Sequence, residues 1–368
     1  MPPSFTPAFL KVIEEELLVG VEAAAGADQP WIMRARLDEV LRVCVRCTLK
    51  DHEAFAPVLR KVIHPLIRVY SDLLAVTDND PLVWGNLQLS LRLLRDERND
   101  LKKPHRYRSA RELTERFRGL CHLRNDLCRV NVIGHIPTAS EGFDLLHIQL
   151  ASTNGDPGEK IQVAITSGLH GDEAEGIYAV YRWINEIHHR PGLLNFYTFH
   201  LYPIVNPHGF EYATRENGNG VDLNREFGGA AREPEAIALQ RELQARRIDG
   251  LINLHADDDS EGLYGYANGP LLSEALVKPA LRSASMIIPI NQSPLIDGHR
   301  AEAGIIKESV AGALRPLSIH SRSGHEPFDI TLETPNLLSL VSRATAHVIM
   351  LRTLVDEHRK FISQAADL

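Results

Sequence analysis

The first hundred residues carry apolar side chains at intervals of three and four, the spacing of one buried face of a helix. This pattern predicts helices over residues 7–25, 31–49, 53–74 and 81–96. Short segments rich in Gly, Asp and Pro separate them, and short connections favour antiparallel neighbours in a bundle. We therefore expect a small all-α domain over residues 1–104, in which the sequence shows no catalytic motif.

A basic stretch at residues 98–111 separates this region from a different pattern. The stretch holds six Lys or Arg and is interpreted as an exposed linker, with a phosphate-binding patch as the alternative. Beyond it, short apolar strands alternate with helices, which predicts an α/β fold over residues 105–368, with a mixed, largely parallel sheet flanked by helices. The predicted strands cover residues 145–150, 161–167, 195–205, 250–254 and 328–334, and the predicted helices cover residues 110–122, 175–188, 234–246 and 337–363.

Composition narrows the classes of partner. The chain has 368 residues, of which 44% are hydrophobic and 24% charged, and its formal net charge is −8. An acidic chain has no general attraction for phosphate backbones, so we expect no nucleic-acid partner. No apolar run reaches the length of a membrane span and the start lacks a signal-peptide pattern, so we expect no membrane partner and a cytoplasmic location. The sequence does not indicate an oligomeric state.

Two predicted strands lead into metal-ligating residue types. The strand at 161–167 is followed by His170 and Glu173, whose spacing of three brings an imidazole and a carboxylate to one side of a first helical turn. This pair alone also fits an ordinary capped helix start. The strand at 250–254, however, runs directly into His255. Two histidines and one glutamate at adjacent strand ends match the ligand set of catalytic zinc, which leaves one position open for water.

Further motifs follow in a fixed order along the chain. The segment Asn206-Pro-His-Gly-Phe210 precedes Arg215, the segment Asp222-Leu-Asn-Arg225 comes next, and Glu333 lies in the apolar strand FDITLET. A carboxylate in such a strand is costly to bury without a partner or a function. With the three candidate ligands, this order resembles the zinc carboxypeptidases of the carboxypeptidase A type. The resemblance covers residues 110–345.

The resemblance implies a metallocarboxypeptidase, a zinc metallohydrolase that cleaves an amide bond next to a carboxylate-bearing C-terminal residue of a short peptide. His170, Glu173 and His255 would hold one zinc ion. Glu333 corresponds to the general base, which takes a proton from the zinc-bound water and then delivers it to the leaving amine.

The resemblance also implies roles for four polar residues between these ligands. Arg215 corresponds to the arginine that stabilises the oxyanion of the tetrahedral intermediate. Asn224 and Arg225 correspond to the pair that binds the terminal carboxylate of the substrate. Asp222 corresponds to a carboxylate that accepts a hydrogen bond from a ligand histidine and fixes its tautomer. The alternative interpretation is that these are surface charges and turn residues.

The short distance between Glu173 and His255 departs from digestive carboxypeptidases and resembles two compact branches. One contains murein peptide amidases, and the other contains succinylglutamate desuccinylase and aspartoacylase, which remove an acyl group from an amino acid. A zinc-dependent deacylase of N-acyl amino acids is therefore the alternative function. A metal-binding protein without turnover is a third possibility, which the presence of Glu333 disfavours. The cleft tyrosine of digestive members has no match among the motifs.

Overall fold

The structure, a computed structural model, divides into two compact units, Met1–Tyr107 with Leu337–Val341, and Arg108–Asn336 with Ser342–Leu368. The predicted domain boundary at residue 104, the predicted linker up to residue 107 and, apart from Val83, the predicted helix at 81–96 lie outside the described residues. The described residues are 7–50, 52–77, 83, 108–137, 142–152, 160–227, 230–257, 260–268, 271–307, 313–314, 327–336, 338 and 340–366.

Three described helices belong to the first unit: α1 (Pro7–Ala25), α2 (Pro30–Lys50) and α3 (His52–Val76). Each matches a predicted helix, because the apolar spacing that marks it in the sequence also forms the common core. Cys44 lies in this core, and burial, aided by the neighbouring Cys47, raises the pKa of its thiol to about 12. The large fully buried side chains of the core are Leu37, Phe55, Ile63, Leu66 and Tyr70.

The second unit is a sheet flanked by helices. Its described helices are α4 (Ala110–His122), α5 (Ala174–His189), α6 (Pro207–Tyr212), α7 (Pro234–Gln244), α8 (Leu271–Ala284) and α9 (Leu340–Ala366). Its described strands are β1 (Cys128–Ile136), β2 (Phe143–Leu150), β3 (Ile161–Ser167), β4 (Tyr197–Tyr202), β5 (Gly250–Asp257), β6 (Tyr264–Asn268), β7 (Leu295–Ile296), β8 (His299–Glu302), β9 (Ile305–Ile306) and β10 (Phe328–Pro335).

The described strands form one ten-stranded sheet in the order β1-β2-β4-β3-β5-β10-β6-β9-β8-β7. The four central strands, β4, β3, β5 and β10, run parallel. β1 and β2 pair with their neighbours in antiparallel fashion, and β6 is antiparallel to β10 but parallel to β9. The central strands are largely apolar and buried, as parallel strands covered by helices must be, and β4 is buried throughout. The predicted α/β class with a mixed, centrally parallel sheet and a preceding helical region is confirmed.

Several element boundaries differ from the prediction. β5 continues to Asp257, so His255 lies within the strand and not after it. The predicted strand at 195–205 is shorter, because a 3-10 turn, Pro191–Asn195, precedes β4. The sequence pattern also does not predict β1, β6 to β9, α6 or α8. In the described part of the chain, no helix is both long and apolar enough to cross a membrane.

The strand order reverses at β3, and this reversal positions the site. After β3 the chain adds β4 on one side of it and then returns to add β5 on the other side. Such a reversal opens a crevice at the carboxyl ends of the parallel strands, where open α/β sheets bind ligands. β3, β5 and β10 all end at this edge, and His255 of β5 pairs in register with Glu333 of β10.

Candidate metal centre

Two glycines shape the turn between β3 and α5, which carries two of the predicted ligands. Gly168 has a φ of 64°, a left-handed conformation that glycine adopts readily. At Gly171, a Cβ atom would lie 1.9 Å from the carbonyl carbon of Gly209, so a larger residue would push the two backbones apart. The turn places Glu173 at the N-cap of α5 and His170 three residues before it.

His170, Glu173 and His255 form a buried group whose candidate ligand atoms all lie within 4.8 Å of one another. Oε1 of Glu173 lies 2.5 Å from Nδ1 of His170, and Oε2 lies 2.9 Å from Nδ1 of His255. The two Nδ1 atoms are 3.2 Å apart. The structure therefore brings together the three residues that the sequence predicts as ligands, with one donor atom of each within reach of a single ion.

Asp222 and Arg215 border this group. Asp222 accepts a hydrogen bond from the Asn224 amide at 2.9 Å and so caps a short 3-10 turn. Its Oδ1 also lies 3.1 Å from Nε2 of His170, which orients the ring with Nδ1 towards Glu173. Arg215 donates from Nε to Oδ2 of Asp222 at 3.1 Å, and its guanidinium lies 3.7 Å from Glu173.

Opposite charges inside the group offset the free-energy cost of burying its charged side chains. Burial disfavours the charged carboxylate of Glu173, but the two histidines outweigh it and lower the pKa of Glu173 below its ordinary range. Burial likewise disfavours a charged His170, yet Glu173 and Asp222 raise the pKa of its imidazole to about 9. At His255 the effect of burial is larger than that of Glu173, so the pKa of its imidazole is lowered.

These properties fit a divalent cation. A buried carboxylate needs a positive charge beside it, and without a metal Glu173 has the half-exposed Arg215 guanidinium at 3.7 Å and a protonated imidazole. Two imidazole nitrogens and a carboxylate oxygen are also the donor set of catalytic zinc. The residues present therefore suit the metal that the sequence resemblance implies.

Glu333 lies on β10, directly opposite His255 of β5 and Tyr264 of β6. It is 8% exposed, and its Oε2 has no hydrogen-bond partner among the described residues. Burial raises the pKa of Glu333 well above its ordinary value, and neighbouring carboxylates, Glu173 first among them, add to the effect. A carboxylate in such surroundings is unusually basic, which is the property that a general base needs.

Asn224 and Arg225 lie on the turn that follows Asp222. Oδ1 of Asn224 accepts a hydrogen bond from the Leu314 amide at 3.1 Å. Arg225 is exposed and donates from its guanidinium to the carbonyl oxygen of Asn224 at 3.1 Å. None of these described contacts joins the two residues to the three candidate ligands, so their role in binding a carboxylate stays a prediction.

Two residues beside the site lie outside the motifs that the sequence predicts. Tyr264 is buried opposite Glu333 and donates from its hydroxyl to Oδ2 of Asp257 at 2.9 Å. His347 of α9 is fully buried, and its Nε2 lies 3.1 Å from the carbonyl oxygen of His255. In the sequence, His347 lies on a mostly apolar helix face, a position typical of a packing residue. A polar residue at such a position is the one signal that could have drawn attention to it.

Comparison with known proteins finds relatives of two kinds. Residues 159–282 match the model of the succinylglutamate desuccinylase/aspartoacylase catalytic domain. Carboxypeptidase E of Caenorhabditis elegans is 31% identical over 162 residues, which cover 36% of this chain and 32% of that protein. Carboxypeptidase SOL1 of Arabidopsis thaliana is 27% identical over 143 residues, covering 34% and 29% respectively. The chain thus spans about a third of the length of these curated relatives.

Solved structures share the fold. A proposed metallopeptidase from Shewanella denitrificans has a TM-score of 0.55 and 22% identity, over 67% of this chain and 90% of that one. A metallo-carboxypeptidase from Burkholderia cenocepacia has a TM-score of 0.51 and 18% identity, over 68% and 70%. At such identities the likeness shows the fold alone, and it covers the greater part of this chain.

Proposed function

We propose that this chain is a zinc-dependent metallocarboxypeptidase, a proposal that the resemblance of its motifs to the zinc carboxypeptidases and the matches to related sequences support. Its substrate would be a short peptide, cleaved at the amide bond next to a carboxylate-bearing C-terminal residue. One observation carries the proposal. Beside the buried group of His170, Glu173 and His255 lies Glu333, in direct register with His255, and its Oε2 has no hydrogen-bond partner among the described residues.

Neighbouring groups would orient the residues that bind the metal. Asp222 orients His170 through Nε2, and the Ala256 amide donates to Oε2 of Glu173 at 3.1 Å. Such contacts fix ligand geometry before the metal arrives. Bound zinc would supply Lewis acidity towards a carbonyl group and would lower the pKa of a water molecule to about 7.

Glu333 would hold the proton that hydrolysis moves. Its Oε2 has no described hydrogen-bond partner, so it is available to accept a proton from water and to return it to the leaving amine. The burial that raises the pKa of Glu333 also brings its basicity closer to that of the acid it must deprotonate. Positioned proton transfer of this kind contributes a rate factor of roughly 10² to 10⁴.

Arg215 would stabilise the negative charge that develops on the carbonyl oxygen of the scissile bond. Its side chain is 41% exposed, so a substrate can approach it, while Asp222 and Glu173 hold the guanidinium beside the ligands. A charge fixed in place before reaction stabilises the transition state without reorganisation. Arg225, exposed on the adjacent turn with Asn224, would bind the substrate carboxylate with its planar guanidinium.

A zinc-dependent deacylase of N-acyl amino acids is the second candidate. The match of residues 159–282 to the desuccinylase/aspartoacylase domain favours it, and that segment includes all three candidate ligands and both arginines. Both reactions hydrolyse an amide that lies near a carboxylate. The same residues could therefore serve either substrate, and only turnover separates the two functions.

A substrate screen of the zinc-loaded protein tests the proposal. The panel contains peptides with free C-terminal residues, diaminopimelate-containing peptides and N-acyl amino acids. We expect cleavage of one of the two peptide classes. Turnover of acyl amino acids alone would favour the deacylase, and a zinc-loaded protein inert towards the whole panel would favour a binding protein. Glu333→Gln, purified in parallel, controls for a contaminating peptidase.

A further inference from the structure

Two buried polar residues of α9, Arg343 and His347, lie behind the candidate metal centre. They are four positions apart and therefore project from one face of the helix. Arg343 is 3% exposed and His347 is fully buried. Burying such groups is costly unless their hydrogen bonds are satisfied, so their contacts show what they hold.

Arg343 joins the start of α5 to the end of β10. Its guanidinium donates to Glu175, a fully buried residue in the first turn of α5, two positions after the ligand Glu173. The same nitrogen donates to Oδ1 of Asn336 at 2.6 Å. The Asn336 amide in turn donates to the carbonyl oxygen of Asp257 at 2.7 Å, which joins the end of β10 to the end of β5.

His347 contacts β5 and β10, the strands that carry His255 and Glu333. Its Nε2 lies 3.1 Å from the carbonyl oxygen of His255, and 3.5 Å from Oγ1 of Thr334, the residue after Glu333. Because a carbonyl oxygen only accepts hydrogen bonds, Nε2 carries the proton.

We propose that Arg343 and His347 are positioning residues for the metal centre. They fix the spacing of Glu173, His255 and Glu333 by binding the chain beside each of these residues. The inference rests on the proposed metal site but not on the choice of substrate, since it concerns the spacing of the ligands and the base. It predicts that zinc affinity depends on Arg343 and His347, although their described contacts are to residues or backbone groups beside the metal-binding side chains.

The first test compares two buried histidines of the same helix. In His347→Phe, loss of the donor to the His255 carbonyl should weaken zinc binding by about 10- to 100-fold, measured by competition with a chromogenic chelator. His358→Phe is the matched control: His358 is also buried on α9, where its Nδ1 lies 3.0 Å from the Tyr197 hydroxyl. This control should keep wild-type zinc affinity, and His347→Gln, which retains a donor, should recover most of the loss.

Thermal unfolding of the metal-free variants separates positioning from stability. The proposal requires that His347→Phe lose affinity even where it melts no lower than His358→Phe. Wild-type zinc affinity in His347→Phe, or an equal loss in both phenylalanine variants, would overturn it.

The second test uses the ion pair. Arg343→Met leaves Glu175 buried without its cation, whereas the double variant Arg343→Met/Glu175→Met removes both charges and should recover stability. If the pair positions the site, the double variant should remain about 10-fold weaker in zinc affinity. Recovery of affinity together with stability would contradict positioning by Arg343.

These affinities are measured without substrate, so the two proposals fail separately. A wild-type protein that binds zinc but cleaves none of the panel would contradict the proposed function. The difference between His347→Phe and His358→Phe would still decide the positioning role.

Discussion

Glu333 shows how far a single residue can be interpreted from sequence. The cost of burying a carboxylate in the apolar strand FDITLET predicts that it has a function, and in the structure its Oε2 is buried and unpartnered among the described residues. The same reasoning fails for His347, because histidine is tolerated in cores and its contact is to a backbone carbonyl. Contacts of that kind depend on which segments the fold brings together.

Replacing Glu333 tests its role in proton transfer. Glu333→Gln should keep zinc but lose at least about 100-fold in kcat/KM, since a positioned base contributes that much or more. Metal content and steady-state kinetics measure the two effects. Asp329→Asn is the matched control, because Asp329 is another buried carboxylate on the same face of β10. Near wild-type turnover in Glu333→Gln would remove Glu333 from the mechanism.

The raised pKa of Glu333 also has a consequence for stability. A folded-state pKa above the unfolded value means that the ionised carboxylate destabilises the fold, and that this penalty grows as the pH rises from the unfolded pKa to the folded one. Metal-free Glu333→Gln should therefore be more stable than the wild type at pH 8. The gain should diminish as the pH falls through about 4, because Glu333 then becomes protonated in the unfolded as well as the folded state. Chemical denaturation at the two pH values measures it, and a loss of stability at pH 8 would contradict the assigned burial effect.

At the scale of elements, the strands that build the site are the ones the sequence predicts. β3, β5 and β10 are rich in apolar residues and buried over most of their length, because buried parallel strands are covered on both faces. β1 has mostly exposed or half-exposed side chains and a register shift at Val132, and β7 to β9 have two to four residues, too few for an alternating pattern. Apart from β6, which is short but buried beside β10, the missed strands lie towards the edges of the sheet, where burial leaves little trace in the sequence.

The turn between β3 and α5 provides a prediction at this scale. Gly171→Ala would place a Cβ atom 1.9 Å from the carbonyl carbon of Gly209, so the turn that carries His170 and Glu173 would have to shift. We expect a loss of about 1–3 kcal/mol in stability, as for other overpacked sites, together with weaker zinc binding.

The control is Gly192→Ala, where a Cβ atom would meet nothing within 4 Å. This variant should change stability by less than about 0.5 kcal/mol. Urea denaturation and chelator competition on both variants give the comparison, and equal behaviour would mean that the close approach at Gly171 does not hold the ligands in place.

At the scale of the whole molecule, the two units differ in what their interiors contain. The first unit packs around an apolar cluster, as its helical periodicity predicts. The second unit buries a group of metal-ligating side chains as well as an apolar core. In the second unit, the residues that could hold zinc could be predicted because the motifs come in a fixed order. The sequence of the first unit shows no such motif, so its role is a question for experiment.

Zinc should therefore stabilise the protein measurably. At free zinc about a thousand times its Kd, binding to the folded state alone adds about 4 kcal/mol, which corresponds to a rise in Tm on the order of 10 °C for a unit of this size. Differential scanning calorimetry with and without a chelator measures the shift. His255→Ala should show almost none of it and should lose metal and activity together. A full zinc-dependent shift in His255→Ala would refute its assignment as a ligand.

The pairing of β5 with β10 has a consequence for how such a protein can diversify. His255 and Glu333 occupy partnered positions on hydrogen-bonded strands, so the sheet sets the distance between a ligand and the base. Residues that do not pair with these two strands lie outside that constraint, so substitutions elsewhere in the chain need not alter this distance. Reaction chemistry and substrate choice can then be inherited independently, which is how one fold can serve both carboxypeptidases and deacylases.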